Sequence, residues 1–467
     1  MVSVPAVVIA APASGSGKTT VATGLIGALR RAGHAVAPFK VGPDFIDPGY
    51  HGLAAGRPGR NLDPVLVGED LIGPLYAHGA SGADIAVVEG VMGLFDGRIG
   101  PTATIPAPGS TAHVAGLLGA PVVLVVDARG QSQSIAALLH GFSTYETATR
   151  VAGVILNRVG SARHEQVLRQ ACEQAGVPVL GAIPRVAELE LPTRYLGLVT
   201  AVEYGQRARL AVDAMTALVA RHVDLPAIAA VGGGRVAHSS WDPAAAVGET
   251  SGGCASVAVA AGKAFSFGYA EHAELLQAAG AEVVEFDPLL DALPHGTDAV
   301  LLPGGFPEQF TAELSANEVV RRQINELAAA GAPIHAECAG LIYLVSELDG
   351  HPMCGVLAGN ARFTSHLTLA YRDAVAVADS SLYTAGQRAV GHEFHRTTVT
   401  FTDDYQPAWM YRAHDADRQG GPVRDGVVHA GVHASYLHTH PAAAPEAVAR
   451  FVAHASSARL RRARDRH

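Results

Sequence analysis

The chain has 467 residues, which is too long for one ordinary domain, so two or three domains are expected. Apolar residues make up 49% of the sequence and charged residues 16%, which is typical of a globular protein with well-filled cores. The formal net charge of −9 argues against nucleic acid as a partner, because nucleic-acid-binding proteins present a basic face.

Three further features predict a cytoplasmic location. The four cysteines include no C-x-x-C pair and are too few for a disulfide scaffold, which favours a reducing compartment. The apolar N-terminal run has no basic segment before it, so no signal peptide is expected. No uncharged apolar run is long enough to span a bilayer, and no membrane partner is predicted.

The first predicted strand, residues 7–11, leads into a loop with the features of a phosphate-binding P-loop. Backbone N–H groups of such a loop close around phosphate oxygens at the start of a helix. Lys18 is expected to reach the outer phosphates and Thr19 to bind Mg²⁺ through its hydroxyl. Pro12 replaces the first glycine of the G-x-x-x-x-G-K-[ST] pattern, and a purely structural turn is the alternative. The predicted ATP-binding residues of the loop are Ser14, Gly15, Ser16, Gly17, Lys18, Thr19 and Thr20.

A second predicted strand, residues 35–40, runs into a loop rich in glycine and proline that carries two carboxylates. Ligands of open α/β sheets bind beyond the carboxyl ends of the parallel strands. We therefore expect Asp44 or Asp47 to bind Mg²⁺, with Asp44 preferred, and Lys40 to neutralise a phosphoryl group during its transfer. Asp47 is expected on the substrate side of the site. A solvated loop with ordinary turn aspartates is the alternative interpretation.

A third predicted strand, residues 83–90, contains Glu89 near its end, where P-loop enzymes place a second metal-side carboxylate. Two further strands are predicted at 121–126 and 151–156, with helical stretches between the strands. This alternation predicts a doubly wound parallel sheet. Asn157 follows the last of these strands and is expected to read the adenine edge, with an ordinary turn asparagine as the alternative.

The composition changes between residues 227 and 253, where glycine and serine clusters replace clear periodicity, and this predicts a linker. Alternating strands and helices resume afterwards and predict a second α/β domain. The expected organisation is a P-loop domain at 1–226, a linker at 227–253, a second domain at 254–455 and a basic tail at 456–467.

A cysteine in the second half occupies a predicted nucleophile elbow. Cys338 ends a short apolar strand, and small residues lead from it into a helix whose positive end favours the thiolate. A buried structural cysteine is the alternative. Gly304 and Gly305 supply backbone N–H groups for an oxyanion hole, and His438 offers a base far away in the sequence.

Several long motifs of the second half resemble the class I glutamine amidotransferase domain of the corrinoid amide synthases. They are Pro-Gly-Gly-Phe-Pro-Glu at 303–308, Ala-Glu-Cys-Ala-Gly-Leu-Ile-Tyr-Leu at 336–344, Gly-His-Glu-Phe-His at 391–395 and Ala-Ser-Tyr-Leu-His-Thr-His at 434–440. The motifs at 38–48 and 88–97 resemble the ATP-dependent synthetase domain of the same family, a relative of dethiobiotin synthetase. Spacing alone does not decide whether the 391–395 motif forms an active-site wall or a surface turn.

This resemblance implies roles for individual residues. The catalytic cysteine and histidine correspond to Cys338 and His438, whereas the position of the usual third, acidic member is held by His440. The acidic member is therefore missing from its usual place. The oxyanion hole falls on Gly304, Gly305 and Ala339, the last standing where the family usually has glycine.

The resemblance also implies a reaction in cobalamin biosynthesis. Glutamine supplies ammonia, ATP with Mg²⁺ phosphorylates a substrate carboxylate, and ammonia displaces the phosphate. The implied substrate is a small corrin polycarboxylate whose a and c acetate groups are amidated, and a homodimer is a candidate assembly. A cobalt-free corrin is the favoured substrate, with a cobalt corrin or a nickel tetrapyrrole as alternatives. A P-loop ATPase switch with a binding-only second domain is a rival that has no need of Cys338 and His438.

Overall fold

The computed structural model describes residues 2–99, 104–185, 193–194, 197–232, 235–249, 254–412 and 421–464. The chain divides into two compact units, Met1–Trp241 and Asp242–His467. Each unit contains its own sheets and its own buried core, so each is described by itself.

The first unit alternates strands with helices along most of its length. Its strands are β1 (Val2–Ala10), β2 (Val36–Val41), β3 (Arg60–Leu62), β4 (Ile85–Glu89), β5 (Val122–Asp127), β6 (Val151–Val159), β7 (Val179–Pro184), β8 (Thr193–Arg194), β9 (Gly197–Leu198) and β10 (Arg235–His238). Its helices are α1 (Lys18–Arg31), α2 (Asp47–Ala55), α3 (Pro64–Val67), α4 (Glu69–Gly79), α5 (Thr111–Leu118), α6 (Ile135–Thr144), α7 (Ala162–Gln174), α8 (Ala201–Tyr204), α9 (Gln206–His222) and α10 (Leu225–Val231).

The main sheet of the first unit has the strand order β3-β2-β4-β1-β5-β6-β7, and all these neighbours run parallel. Every residue of β2 and β4 is buried, as expected when helices cover both faces of a parallel sheet. The predicted doubly wound sheet is confirmed. Lys40 and Glu89 lie at the C-terminal ends of β2 and β4, which are on the same edge of this sheet as the end of β1.

The second unit contains a parallel sheet followed by a largely antiparallel one. Its strands are β11 (Ser256–Ala260), β12 (Glu282–Phe286), β13 (Ala299–Leu302), β14 (Ile334–Glu337), β15 (Val345–Leu348), β16 (His351–Pro352), β17 (Leu357–Ala376), β18 (Arg388–Phe401), β19 (Trp409–Arg412), β20 (Pro422–Asp425), β21 (Val427–His429), β22 (Val432–Ser435) and β23 (His438–Thr439). Its helices are α11 (Pro243–Val247), α12 (Ala270–Ala278), α13 (Thr311–Ala316), α14 (Glu318–Ala329), α15 (Ala339–Leu344) and α16 (Pro445–Arg464).

The first sheet of this unit has the order β12-β11-β13-β14-β22-β21, parallel except for the last pair. The second sheet is built around the long hairpin of β17 and β18, which the sequence analysis did not predict. Buried and exposed residues follow each other irregularly along these two strands. Their sequences therefore lack the continuous apolar run by which a fully buried strand is predicted. One apolar cluster packs α14 and α15 against β13 and β14, and Cys338 belongs to it.

The predicted linker at 227–253 is largely folded in its described part, and the boundary between the units falls inside it. Strand β10 pairs antiparallel with the start of β1, and α11 follows in the second unit. These elements are short and flanked by glycines and serines, so the sequence shows no clear periodicity there. Residues 233–234 and 250–253 lie outside the described residues. Of residues 191–198, the structure describes only β8 and β9.

The predicted basic tail at 456–467 is largely helical, because α16 continues to Arg464. Two of its arginines contact the buried carboxylate of Asp298, Arg462 at 2.7 Å and Arg459 at 3.7 Å. These ion pairs hold the end of α16 against the rest of the second unit. The basic composition of the segment does not by itself predict such contacts.

Candidate active site

The predicted P-loop connects β1 to α1 in the first unit. Gly17 precedes the first helical residue with φ at 95°, a left-handed conformation that glycine adopts at little cost. A Cβ at this position would lie 2.2 Å from Nδ2 of Asn157, which donates to the Ser16 carbonyl at 2.9 Å. Asn157 therefore braces the loop from the end of β6. Its predicted contact with adenine stays a prediction.

The remaining loop residues are placed as a phosphate site requires. Ser14 and Gly15 are exposed, whereas Lys18 and Ser16 are buried, and Thr20 lies in the first turn of α1. The ammonium group of Lys18 donates to the carbonyl of Met92, which follows β4. Burial lowers the pKa of Lys18, and the nearby charge of Lys40 acts in the same direction. A phosphate placed here would meet two ammonium groups, that of Lys18 at the start of α1 and that of Lys40 on β2.

Polar side chains from four elements, α1, β2, α2 and β4, meet beside the P-loop. The hydroxyl of Thr19 donates to Glu89 at 2.7 Å and lies 3.2 Å from Oδ2 of Asp47. Between these carboxylates, Nζ of Lys40 lies 2.6 Å from Asp47 and 3.0 Å from Glu89. Although burial alone would lower it, the two carboxylates hold the pKa of Lys40 above its usual value. The structure thus brings together four predicted residues that are far apart in the sequence.

Asp44 and Asp47 occupy different positions in this site. Oδ1 of Asp44 accepts the backbone N–H groups of Ile46 at 2.7 Å and of Asp47 at 3.1 Å, so it shapes the start of α2. Its other oxygen is 3.9 Å from Lys40. The carboxylate beside Thr19 is that of Asp47. The Mg²⁺ role expected for Asp44 therefore stays a prediction, and Asp47 is a second candidate for it.

Sequence reasoning missed His51, which completes this cluster. The residue is fully buried, and its Nε2 lies 2.7 Å from Oε2 of Glu89. Burial alone would raise the pKa of Glu89, but Lys40 and His51 hold it well below its usual value. The signal was present in the sequence, because His51 follows Asp47 by four residues and α2 places both on one face.

The oxygen-rich donor set of this cluster fits Mg²⁺. Carboxylate and hydroxyl oxygens are ligands that Mg²⁺ prefers, and it usually takes few of them from the protein and the rest from phosphate and water. Among the described residues no group of three His, Cys, Asp or Glu side chains forms a metal cage. A site made from Thr19, Asp47 and Glu89 therefore suits an ion that arrives with a nucleotide.

In the second unit, Cys338 lies at the sharp turn between β14 and α15. Its φ of 49° is a left-handed value that a non-glycine residue seldom adopts, as in a nucleophile elbow. The backbone N–H of Cys338 donates to the Ser435 carbonyl at 2.7 Å, which fixes the turn on β22. Strain of this kind persists only where the surroundings hold it.

Backbone N–H groups surround the Cys338 sulfur. Those of Gly305 and Ala339 both donate toward it, as two members of the predicted oxyanion hole should. The sequence analysis expected the helix end to favour the thiolate. Instead burial, followed by the charge of Glu308, raises the pKa of the thiol above its usual value, and the two N–H groups offset this only in part. A base must therefore remove the proton.

His438, the predicted base, is fully buried on β23 and reaches the same place. A Cβ on Gly304 would lie 2.3 Å from Cε1 of His438, so only glycine permits this approach. Gly304 thus lies against His438, and the N–H of its neighbour Gly305 lies near the Cys338 sulfur. The contact explains why the Gly304–Gly305 pair is needed beyond its N–H groups.

The 391–395 motif forms a wall of this site rather than a surface turn. It lies on β18, where His392 pairs in register with His438. The carbonyl of Phe394 lies 3.8 Å from the Cys338 sulfur. Behind it, Glu393 is buried and bonded to Arg372 at 2.5 Å and to Tyr411 at 2.8 Å. This buried network joins β18 to β17 and β19 beside Cys338.

Comparisons with known proteins decide what these two sites belong to. The model of the CobQ/CobB/MinD/ParA nucleotide-binding domain matches residues 7–198, and that of the CobB/CobQ-like glutamine amidotransferase domain matches residues 256–445. A Mycobacterium bovis protein named hydrogenobyrinate a,c-diamide synthase is 80% identical over 97% of this chain and 98% of its own. The chain belongs to the a,c-diamide synthase family.

Other members of this family are more distant. A Streptomyces coelicolor protein, also named hydrogenobyrinate a,c-diamide synthase, is 54% identical over 96% of this chain and 97% of its own. A Synechococcus protein named cobyrinate a,c-diamide synthase is 38% identical over 96% of this chain and 97% of its own. The predicted resemblance to the corrinoid amide synthases is confirmed.

Membership makes the chain a glutamine-dependent, amide-forming ligase with a nucleotide-binding domain and a glutamine amidotransferase domain. The rival interpretation, a P-loop switch with a binding-only second domain, is set aside. In the described part of the chain, no helix is both long and apolar enough to cross a membrane.

Proposed function

We propose that this a,c-diamide synthase family member amidates the a and c acetate carboxylates of hydrogenobyrinic acid in cobalamin biosynthesis, using ATP and glutamine. The observation that carries the reaction is one chain holding both an acidic P-loop centre and a Cys338 elbow with His438 beside it. The choice of substrate rests on the names of the relatives at 80% and 54% identity.

The second unit releases ammonia from glutamine. His438 takes the proton of the Cys338 thiol, and the sulfur attacks the carbon of the glutamine side-chain amide. The N–H groups of Gly305 and Ala339 hold the oxygen of the tetrahedral intermediate. The protonated histidine returns its proton to the leaving nitrogen, which departs as ammonia. Water then hydrolyses the thioester to glutamate and restores the thiol.

The first unit activates the carboxylate that receives this ammonia. A carboxylate oxygen of the substrate attacks the γ-phosphorus of ATP, giving an acyl phosphate and ADP. Lys18 and Lys40 offset the charge that moves with the phosphoryl group. Ammonia attacks the acyl carbon, phosphate leaves, and an amide remains. The same site carries out both amidations in turn.

Thr19, Asp47 and Glu89 hold Mg²⁺ in this proposal, because their oxygens lie together beside the P-loop. When bound, Mg²⁺ would neutralise charge on the phosphates of ATP. Asn157 keeps the loop in place, and its contact with adenine is part of the proposal. A cytoplasmic location is also proposed, consistent with the four free cysteines of the described chain. A homodimer stays a prediction.

The substrate is tested by offering purified protein the cobalt-free and cobalt-containing acids separately, with ATP, Mg²⁺ and glutamine, and following product masses. We expect kcat/KM at least about 10-fold higher for hydrogenobyrinic acid, equivalent to 1.4 kcal/mol of discrimination. A reversed preference would assign the chain to cobyrinic acid, the compound in the names of the relatives at 38–40% identity, and equal values would contradict a preference for the cobalt-free acid.

The carboxylates of the phosphate site are separated by two matched variants. If Asp47 binds Mg²⁺, Asp47→Asn raises the Mg²⁺ concentration needed for half-maximal rate by about 10-fold and slows both amidations together. Asp44→Asn keeps an oxygen for the N–H groups of Ile46 and Asp47 and should change this requirement little. Product masses over time, measured at several Mg²⁺ concentrations, provide the comparison.

The opposite pattern would support the assignment made from sequence. In that pattern, Asp44→Asn raises the Mg²⁺ requirement. Asp47→Asn slows the two amidations unequally and lets a monoamide accumulate, because a misplaced acetate arm affects only one of the two steps. Unchanged Mg²⁺ dependence in both variants would make this a purely structural loop.

A further inference from the structure

The acidic residue missing from the usual place in the second unit has a counterpart one residue before the nucleophile. We propose that Glu337 is the positioning residue that holds the His438 ring for proton transfer with Cys338. The inference rests on the proposed glutaminase chemistry and adds a residue that the sequence resemblance does not supply.

The two carboxylate oxygens of Glu337 contact different partners. Oε2 lies 3.5 Å from Nδ1 of His438. Oε1 accepts the backbone N–H and the hydroxyl of Thr439, each at 3.1 Å. Because Thr439 follows His438 in the chain, one carboxylate holds both the ring and its backbone. A distance of 3.5 Å is long for a hydrogen bond, but such contacts often shorten when substrate binds.

Glu337 carries a negative charge in this buried setting. Burial alone would raise its pKa, but the nearby imidazoles of His335 and His438, each 3.5 Å from a carboxylate oxygen, hold it well below its usual value. His335 approaches Oε1 at 3.5 Å from the same strand. A buried carboxylate beside Nδ1 favours the ring form that carries its proton on Nδ1, which leaves Nε2 free to accept the thiol proton.

His440, which holds the sequence position of the usual acid, makes different contacts. Its Nδ1 accepts the backbone N–H of Ala442 at 3.3 Å, and its ring packs on Tyr269 with the centroids 4.2 Å apart. It therefore caps the following turn. Glu337 is the last residue of β14, which pairs with β22. Because β22 ends three residues before His438, this pairing brings Glu337 close to His438.

The direct test is Glu337→Gln, a variant of nearly unchanged shape. The Gln oxygen can still accept the Thr439 donors, which directs its NH₂ toward Nδ1 of His438. That donor forces the ring proton onto Nε2, so the ring can no longer accept from the thiol. The equivalent change in serine proteases costs about 10⁴-fold in kcat. Because the pair here is longer, we expect kcat with glutamine to fall about 100-fold.

Three readouts distinguish positioning from a structural role. In Glu337→Gln, KM for glutamine and the rate with ammonia should stay within about twofold of wild type. Glu337→Asp keeps the charge but retracts it, so its kcat should lie between those of wild type and Glu337→Gln. The control is Asp425→Asn, which removes another buried carboxylate of this unit, one bonded to the N–H of Tyr436. Its kcat with glutamine should stay within about twofold of wild type.

Wild-type kcat in Glu337→Gln would overturn the proposal, as would a loss no larger than that in Asp425→Asn. If Glu337→Gln also loses ammonia-supported activity, the same three quantities, kcat, KM and the ammonia rate, are compared between Glu337→Asp and wild type instead. A lowered kcat with unchanged KM and ammonia rate supports positioning, whereas unchanged kcat overturns it. Failure of the proposed function is distinguishable, because then Cys338→Ser would itself leave glutamine use intact.

Discussion

Cys338→Ser is expected to lose glutamine-supported amidation by at least about 1,000-fold and to keep ammonia-supported amidation within about twofold of wild type. Removing a catalytic nucleophile costs about 10⁶-fold in kcat in a serine protease, so a loss of this size is conservative. The second unit contains the elbow, while the P-loop and its carboxylates lie in the first unit. Free ammonia therefore replaces what the second unit supplies.

The measurement compares initial rates of amide formation with saturating glutamine and with ammonium at a pH that provides free ammonia. Cys354→Ser is the matched control, because this cysteine is also buried in the second unit but follows β16, away from the turn between β14 and α15. Its glutamine rate should stay near that of wild type. Equal loss with both nitrogen donors in Cys338→Ser would show that Cys338 does more than release ammonia.

Lys18→Ala should lose activity with either nitrogen donor, by about 100-fold or more. Lys18 begins α1 at the P-loop, where an ammonium group meets the charge of the transferred phosphoryl group. Groups that stabilise developing charge in such sites are each worth about 10²–10³-fold in rate. Both donors need the acyl phosphate, so the loss cannot be bypassed with ammonia.

Arg31→Ala is the charge-matched control for Lys18, because Arg31 lies at the other end of α1. Its side chain pairs with Asp213 at the surface, where both are more than half exposed, and such pairs contribute little to stability. Substrate amidation and ADP release are measured together. A Lys18→Ala enzyme that amidates normally with ammonia would move the ATP site away from this P-loop.

The strongest sequence signals were local, and the structure confirms the elements they predicted. The P-loop pattern and the elbow each combine a strand, a turn and a helix within a few residues, so nearby side chains reveal them. Parallel strands such as β4 and β5 consist of a buried apolar run before a terminal carboxylate, which makes them simple to predict. The long hairpin of β17 and β18 escaped because its residues alternate irregularly between buried and exposed.

By itself, the sequence determined the two α/β units, the nucleotide-binding loop and the family, and it predicted the nucleophile, since these depend on residues that are neighbours in the chain. Tertiary structure alone decided which carboxylate lies beside Thr19, that His51 contacts Glu89, and that Glu337 faces His438. These contacts join residues on different strands and helices. Their distances depend on strand order and register, which spacing along one chain does not contain.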